Sequence, residues 1–178
     1  KINNTLVGEN YPTYFIADIG ANHDGKLSRA KKLIELCAKA GANAAKFQHF
    51  KAETIVSDYG FRKLKLKTHQ STWKENVFKV YQKASINPKW TKELKKTCKK
   101  FKIDFFTSPY DLNYVDEIYK DICAYKIGSG DITWTEIIEK ISKKKKPVIL
   151  ATGASSIEDV NRAVKIIKRN NNKLVIMQ

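Results

Sequence analysis

The chain has 178 residues, which is enough for one domain with a hydrophobic core of its own. Hydrophobic residues make up 42% and charged residues 29%, and no apolar run approaches the ~20 residues that span a bilayer, so we expect a globular protein without a membrane partner. The formal net charge of +16 allows a nucleic-acid surface or an anionic ligand, but lysine runs such as KELKKTCKKFK and ISKKKKP are more typical of solvated helix faces and helix ends.

Six short apolar runs are predicted to be strands, because each is rich in β-branched or aromatic residues and is bounded by turn residues. In chain order they are YFIADIG, AAKFQHF, IDFFTSPY, AYKIGSG, PVILATG and KLVIMQ. Amphipathic stretches with helical spacing separate them. Since strands that alternate with crossover helices pair in parallel, the sequence predicts an α/β fold with a parallel sheet.

Capping residues predict where the helices begin and end. The predicted N-caps are Ser28, Thr91, Asp111, Thr133 (with Glu136 in a capping box) and Ser155 (with Glu158). Gly41 is predicted to end the first helix, and Cys37 is predicted to be a core residue on its apolar stripe. No CxxC pair occurs among the cysteines, which argues against a zinc or redox site and suits a reducing cytoplasm.

Two parallel architectures fit this alternation, an open doubly wound sheet and a (β/α)8 TIM barrel. No glycine-rich phosphate fingerprint follows the first strand, which disfavours a dinucleotide-binding open sheet. Polar residues end almost every predicted strand, as in a barrel, whereas an open sheet concentrates its ligand contacts at one switch point. We therefore predict that residues 1–178 are the N-terminal portion of a TIM barrel, with about the first five βα units and the sixth strand, because a complete barrel takes ~250 residues. An open α/β domain is the alternative.

The connection between the second and third strands contains an insertion at 53–84, ETIVSDYGFRKLKLKTHQSTWKENVFKVYQKA. A βα loop normally has only a few residues. Because the insertion follows a strand, it is expected on the catalytic face, as a lid or as a dimer contact.

The second strand carries the first candidate site residues. In AKFQHF, Lys46 and Gln48 share one face, and Phe47 and His49 share the other. If Phe47 packs against helices, Lys46 points into the barrel, where an unpaired ammonium group is costly. Such lysines bind phosphate or carboxylate groups, or form Schiff bases. His49 is predicted to pack on the outer face.

The fourth strand repeats this pattern in AYKIGSGD. Lys126 lies in an apolar strand, Ser129 can donate to an oxyanion, and Asp131 can act as a base or orient one. Gly128 and Gly130 allow the backbone to approach a ligand closely. Two inward lysines fit a small ligand that carries two or more negative charges.

Five segments together identify a family resemblance: FIADIGANHDG, AGANAAKFQHFKAE, FFTSPY, YKIGSGD and KPVILATGAS occur in this order. Over nearly its whole length the chain resembles the N-terminal catalytic barrel of the sialic acid synthase family. The resemblance implies an enzyme that condenses phosphoenolpyruvate with an N-acetylated amino sugar, such as N-acetylmannosamine, to give a nonulosonic acid and phosphate. It further implies a cytoplasmic homodimer, a divalent metal (Mn2+ or Mg2+) with ligands beyond Gln178 and none within this chain, and a C-terminal antifreeze-like domain that this sequence lacks.

The resemblance also implies roles for individual residues. Its phosphoenolpyruvate-binding positions fall at Lys46, Gln48, Ser108, Lys126 and Ser129. Its sugar-side acid falls at Asp18, and an acid near the reacting carbons falls at Asp131, so Lys46, Lys126 and Asp131 are the candidate catalytic residues. Asn22 and His23 would shape the wall of the sugar pocket.

This sequence departs from the family pattern at four places, one of which, Ser108 in place of threonine, matters little. Asp18 and Asp131 stand where the family commonly has glutamate, which shortens each side chain's reach by ~1.5 Å. Ala151 stands where a serine is common. These departures leave the acceptor sugar open, including a legionaminate or another nonulosonate precursor.

Two other functions fit parts of the sequence. A Schiff-base aldolase of the same barrel class would use Lys126 as nucleophile, with its pKa lowered by burial or a nearby lysine. A basic nucleic-acid-binding domain would bind with a steep salt dependence. The second is disfavoured, because inward lysines on apolar strands are hidden from a duplex.

Overall fold

The computed structural model describes residues 1–63 and 69–178. Its strands form one parallel sheet in the order β1 (Ile16–Gly20), β2 (Ala44–His49), β3 (Asp104–Pro109), β4 (Tyr125–Ile127), β5 (Val148–Ala151) and β6 (Leu174–Met177). Each strand pairs with the next one along the chain, and the order never reverses. This is the wall of a partial (β/α)8 TIM barrel, as predicted; an open doubly wound sheet would reverse its strand order at a switch point.

Helices alternate with these strands. In chain order they are α1 (Leu27–Lys39), α2 (Ala52–Ile55), α3 (Asp58–Lys63), α4 (Val77–Ala84), α5 (Thr91–Lys100), α6 (Leu112–Glu117), α7 (Thr135–Lys143) and α8 (Ile157–Lys168). None of the helices in the described ranges is long and apolar enough to cross a membrane.

The core lies between the sheet and the crossover helices. Phe47 from β2 and Ile34, Leu94 and Ile138 from the helices are fully buried in it. Burial of side chains of this size contributes ~1.5–3 kcal/mol each. The prediction for Cys37 is only partly confirmed, because this side chain packs against the core but remains partly exposed.

Two of the predicted helix ends are confirmed. The Asp111 carboxylate caps α6 by accepting a hydrogen bond from the Asn113 amide at 2.7 Å. Gly41 follows α1 with a φ of +88°, a left-handed conformation that favours glycine.

Four predicted N-caps are wrong. Helix α1 begins at Leu27, because the Lys26 carbonyl already accepts from the Ala30 amide, and Ser28 lies inside the helix. Helix α5 begins at Thr91 itself, whose hydroxyl donates to the Pro88 carbonyl at 2.9 Å. Ser155 donates to the Thr152 carbonyl, so its neighbour Ser156 caps α8 by accepting from Asp159 at 3.2 Å.

The fourth wrong cap is Thr133. Helix α7 begins at Thr135, and no side chain caps it. The Trp134 amide instead donates to the Asp131 carbonyl at 2.9 Å, so the chain is still in the turn that follows β4. This turn holds Thr133 outside the helix.

The insertion after β2 contains α2, α3 and α4. Its Tyr81 ring lies 5.6 Å from Phe50, which follows β2, and Phe50 lies 6.4 Å from Tyr110, which follows β3. The insertion therefore packs at the carboxyl end of the strands, on the predicted face. Part of it, 64–68, lies outside the described residues, and its role as a lid or dimer contact stays a prediction.

Candidate active site

A buried lysine forms the centre of the site. Lys46 lies in the middle of β2, is 5% exposed, and places its Nζ atom 2.8 Å from the Asp18 carboxylate of β1. The sheet register puts these two residues side by side. Lys46 therefore points into the barrel, as predicted, and Asp18 neutralises it. The Asp18 side chain is 62% exposed, so it can also interact with a ligand.

Gln48 lies two residues further along the same face of β2. Its Nε2 atom donates to the Tyr110 hydroxyl at 3.3 Å. A Cβ atom placed on Gly20 would lie 3.4 Å from an Asp18 oxygen and 3.5 Å from the Gln48 side-chain oxygen. Asp18 and Gln48 thus converge above the end of β1.

His49 faces outward, as predicted. It is fully buried, with Nδ1 3.0 Å from the Thr107 hydroxyl and Nε2 2.9 Å from the Thr91 hydroxyl. Because Thr91 donates its only hydroxyl proton to Pro88, it accepts from His49 Nε2, and Thr107 donates to Nδ1. Burial lowers the pKa of His49 to about 4, so the ring is neutral and ties β2 to β3 and α5.

Lys126 of β4 is the second inward cation. Burial lowers its pKa, and the nearby Lys46 ammonium group lowers it further, whereas Asp18 and Asp131 act in the opposite direction. Lys126 lies on the inward face of β4, since its neighbour Tyr125 pairs with the outward-facing Thr107, and it is near enough to Lys46, Asp18 and Asp131 for their charges to act on it.

Two side chains of the turn after β4, at Ser129–Asp131, each lie close to a glycine. A Cβ atom on Gly128 would lie 2.9 Å from an Asp131 oxygen, and one on Gly153 would lie 2.7 Å from the Ser129 hydroxyl. Gly153 also has a φ of +49°, so a side chain there would be strained as well as crowded. No atom lies within 4 Å of a Cβ at Gly130, so the structure gives no protein contact that requires glycine there.

Asp131 is half-buried at the same end of the sheet. Burial raises the pKa of its carboxyl group, and the Lys126 ammonium group opposes this rise. A carboxyl group with a raised pKa holds a proton at a higher pH than an ordinary aspartate, which suits it to proton transfer.

Ser108, at the end of β3, presents a buried hydroxyl group that is 1% exposed. It has no hydrogen-bond partner in the part of the chain that the structure describes, although it approaches the Tyr110 hydroxyl. An unpaired buried hydroxyl costs about 1–3 kcal/mol, so it is a ready donor for a bound ligand.

Tyr110 is a site residue that the sequence reasoning missed. Its hydroxyl accepts from Gln48 and lies 3.5 Å from the Cβ position of Gly128, beside Asp131. Burial and Asp131 raise the pKa of Tyr110, so the hydroxyl stays protonated. In the sequence, Tyr110 lies between the end of β3 and the Asp111 cap of α6. This position could have indicated that Tyr110 lies at the carboxyl edge of the sheet.

The predicted sugar-pocket wall is only partly where it was expected. Asp18 lies in the pocket, but His23 is fully buried against the Trp90 ring at 5.6 Å and accepts from the Gly25 amide at 3.1 Å. The Asn22 carbonyl accepts from Arg29 at 3.2 Å. Both residues thus support the loop that follows β1.

The described part of the chain offers no ready-made cluster of side-chain ligands for a divalent metal. Within 1–63 and 69–178, no three histidine, cysteine, aspartate or glutamate side chains come together as metal ligands.

Comparisons with known proteins agree with this geometry. A model of the NeuB family matches residues 33–178. The chain is 36% identical over 162 residues to the N,N'-diacetyllegionaminic acid synthase of Campylobacter jejuni, with 90% of this chain and 48% of that protein covered. It is 27% identical over 176 residues to the human N-acetylneuraminate-9-phosphate synthase, with 97% of this chain and 48% of that protein covered.

A solved structure shows the same fold. The N-acetylneuraminic acid synthetase of Leptospira borgpetersenii superimposes with a TM-score of 0.83 at 26% identity, over 99% of this chain and 57% of that one. This chain spans about half the length of the curated relatives that it matches. With a family match over most of its residues and the same partial barrel, the chain belongs to the NeuB family.

Proposed function

We propose that the protein containing this chain condenses phosphoenolpyruvate with an N-acetylated amino sugar, N-acetylmannosamine or a related one, to give a nonulosonic acid and phosphate. The observation that carries the proposal is the pair of inward lysines, Lys46 and Lys126, in one pocket at the carboxyl end of a parallel barrel. Active sites of such barrels lie at this end.

The charges of the pocket suit phosphoenolpyruvate. This substrate carries a phosphate and a carboxylate, and charge-assisted hydrogen bonds from lysines to such groups are the strong kind. Ser108 offers its unpaired buried hydroxyl, and Ser129 offers another beside the glycine-rich turn. Gln48, held by Tyr110, would orient the bound substrate.

Asp131 is assigned the proton-transfer role. In the reaction, the enol carbon of phosphoenolpyruvate forms a bond to the aldehyde carbon of the sugar, and the aldehyde oxygen takes a proton. Water then adds to the resulting cationic carbon, and the carbon–oxygen bond to phosphate breaks. Burial raises the pKa of Asp131, which suits its carboxyl group to this proton transfer.

Asp18 is assigned to the sugar side. It already neutralises Lys46 with one oxygen, and its exposed position leaves the carboxylate open to a sugar hydroxyl. The relatives carry the names of different nonulosonic acids, legionaminic and neuraminic, and the acceptor of this protein remains part of the proposal.

A divalent metal, Mn2+ or Mg2+, is retained in the proposal only as an expectation from the resemblance. Its chemistry would be to polarise the sugar aldehyde. We derive no step through it, because its ligands would have to come from outside the described residues. The homodimer is likewise retained as a proposal, to be checked by light scattering on the full-length protein.

The test is phosphate release from phosphoenolpyruvate by the full-length protein. It is run with N-acetylmannosamine and a panel of related amino sugars, in Mn2+ and in EDTA. We expect release that depends on the sugar, is abolished by EDTA, and falls sharply in Lys46→Met. Sugar-independent release, or no release with any sugar, would overturn the proposal.

A Schiff-base aldolase is the second candidate, and the lowered pKa of Lys126 is the observation that favours it. A deprotonated amine can attack a carbonyl carbon and, with loss of water, form an imine. Treatment with borohydride in the presence of pyruvate would then add a stable mass increment at Lys126. Absence of that adduct, together with EDTA-sensitive phosphate release, selects the synthase.

A further inference from the structure

A cavity of about 620 Å3 lies at the opposite end of the sheet. It is surrounded by the connections that lead into β3, β4, β5 and β6, and by the last turns of α5. Its apolar lining includes Ile103, Phe105, Ile122 and Pro147. The volume falls within the ~300–1,000 Å3 typical of small-molecule sites. The proposed reaction uses none of these residues.

The cavity is strongly basic. Six lysines line it: Lys95, Lys99, Lys102, Lys145, Lys146 and Lys173. It also contains two carboxylates, and the six lysines outnumber them: Asp121 pairs with Lys95 at 3.1 Å, while Asp104 accepts from the neutral Tyr14 at 2.6 Å and Asn3 at 2.9 Å and keeps its charge. Among the described residues, no carboxylate lies within ion-pair distance of the other five lysines.

Several lysines elsewhere on the chain pair with carboxylates, whereas others, such as Lys165 and Lys168 of α8, make no ion pair with a described residue. On α1 and α7, for example, Lys39 pairs with Glu35 at 2.7 Å and Lys143 pairs with Glu139 at 2.7 Å. Crowding of like charges is unfavourable unless a counter-charge is present. The cavity thus concentrates positive charge that the protein does not itself neutralise.

Several of these ammonium groups are held in place by backbone carbonyls. Lys146 donates to Ile122 at 2.7 Å, Lys173 donates to the Lys145 carbonyl at 3.2 Å, and Lys145 donates to Asn170. Each bond uses one of three ammonium protons and leaves two for a ligand. Groups already fixed in this way lose little conformational entropy when an anion binds. Burial, with a contribution from Lys95, also lowers the pKa of Lys146.

The two cysteines at the cavity do not supply a metal or redox site. Burial raises the pKa of Cys98 and of Cys123 to about 12, so both thiols stay protonated and poorly reactive. The charged groups that remain for a ligand are the lysines.

We propose that this cavity binds a small anion with at least two negative charges, of the phosphate or polyphosphate class, at the end of the barrel opposite the phosphoenolpyruvate pocket. A concave site of bounded volume fits a small molecule better than a nucleic-acid backbone, which needs an extended basic groove.

The test is calorimetric titration of the full-length protein with inorganic pyrophosphate at low ionic strength. All titrations are done in a Lys46→Met/Lys126→Met background, which removes the two cations of the other pocket. Pyrophosphate is expected to bind this background with one site per chain. The proposal does not depend on turnover, so its failure is distinguishable from failure of the proposed reaction.

The variant that tests the cavity is Lys99→Glu/Lys102→Glu, because these exposed side chains make no ion pair or hydrogen bond with the described residues whose loss would disturb the fold. The matched control is Lys165→Glu/Lys168→Glu on the exposed face of α8, which changes the net charge equally. We expect the first pair to weaken pyrophosphate binding at least about tenfold and the control to change it less than about twofold. Melting curves establish that both variants are folded.

Three results would overturn the proposal. The first is unchanged affinity in Lys99→Glu/Lys102→Glu. The second is equal weakening by the α8 control, which would mean that pyrophosphate responds only to net charge. The third is a DNA or RNA duplex that binds more tightly than pyrophosphate and loses more affinity in the cavity variant, since that result would assign this face to a nucleic acid.

Discussion

Both ends of the sheet bring lysines together, but they are built differently. At the carboxyl end, Lys46 and Lys126 extend from the strands themselves and share their pocket with Asp18 and Asp131. At the amino end, the lysines extend from loops and helix ends, and several of them, such as Lys146 and Lys173, are held by backbone carbonyls. The sheet register fixes the groups that extend from the strands, and acids accompany them, which suits catalysis. The lysines of the loops, most of which make no ion pair, suit ligand binding alone.

The largest effect is expected for Lys46→Met. It removes the buried cation of the carboxyl end and leaves Asp18, which is 62% exposed, in water rather than stranded in the interior. The fold should therefore survive. Loss of one preorganised charged donor costs about 100- to 1,000-fold in rate, so we expect kcat/KM for phosphoenolpyruvate to fall by about that factor. The measurement is phosphate release at varied phosphoenolpyruvate.

Lys173→Met is the matched control from the amino end. It removes an exposed lysine that lines only the basic cavity, and kcat/KM should stay within about twofold of the unaltered protein. If the two substitutions had equal effects on phosphate release, the assignment of catalysis to the carboxyl end and of anion binding to the amino end would be wrong.

The sequence could predict site residues at the carboxyl end because side chains alternate between the two faces of a strand with a period of two. That period assigned Lys46 and Gln48 inward and Phe47 and His49 outward, and the structure agrees. The amino-end cavity could not be found in this way. Its lysines occur in runs that also describe a solvated helix face, and only tertiary packing of four successive connections brings them together.

Local competition for hydrogen bonds explains the helix caps that were wrong. Ser155 has the right spacing from Glu158, but its hydroxyl bonds to the Thr152 carbonyl, and Ser156 takes the cap. Thr91 is held by His49 across the helix–sheet interface. The partner of Thr91 cannot be identified from the local sequence, since His49 lies on β2, whereas the partner of Ser155 is only three residues away and depends on the conformation of the turn after β5. Tyr110 was missed because its hydroxyl matters only through Gln48, which lies on another strand.

The next largest effect is expected for Gly153→Ala, which tests how the carboxyl end positions Ser129. The added Cβ would lie 2.7 Å from the Ser129 hydroxyl, and the backbone φ of +49° disfavours a side chain. We expect about 1–2 kcal/mol loss of unfolding free energy from the backbone conformation and, because Ser129 must move, about a tenfold rise in KM for phosphoenolpyruvate.

Gly41→Ala is the control for the loss of stability that comes from the backbone conformation. Gly41 also has a positive φ, of +88°, but nothing lies within 4 Å of its Cβ position. It should lose similar stability in urea unfolding without any change in KM. A rise in KM in both variants would mean that global destabilisation, and not the position of Ser129, is the cause.

A smaller effect is expected for the pH dependence of phosphoenolpyruvate binding. The folded pKa of Lys126 is lowered, so its ammonium form, and with it the affinity for phosphoenolpyruvate, should be lost as pH rises through that lowered value rather than near 10.5. Lys46→Met removes one of the causes, the neighbouring cation. The alkaline loss of the remaining binding should therefore shift to higher pH in this variant, as measured by titration at a series of pH values. A shift to lower pH would contradict the shared pocket.

The smallest effect is expected for Tyr110→Phe, which keeps the ring and removes the hydroxyl that accepts from Gln48 at 3.3 Å. A net hydrogen bond contributes about 0.5–1.5 kcal/mol, so kcat/KM should fall only about two- to tenfold, with little loss of stability. Tyr125→Phe is the paired variant, because its buried hydroxyl donates to the Val115 carbonyl at 2.5 Å within the core. That substitution strands a buried acceptor, so unfolding free energy should drop by about 1–3 kcal/mol while KM stays constant. If Tyr110→Phe instead lost stability and left catalysis unchanged, its hydroxyl would belong to the scaffold, and the orientation of Gln48 would have to come from the strand alone.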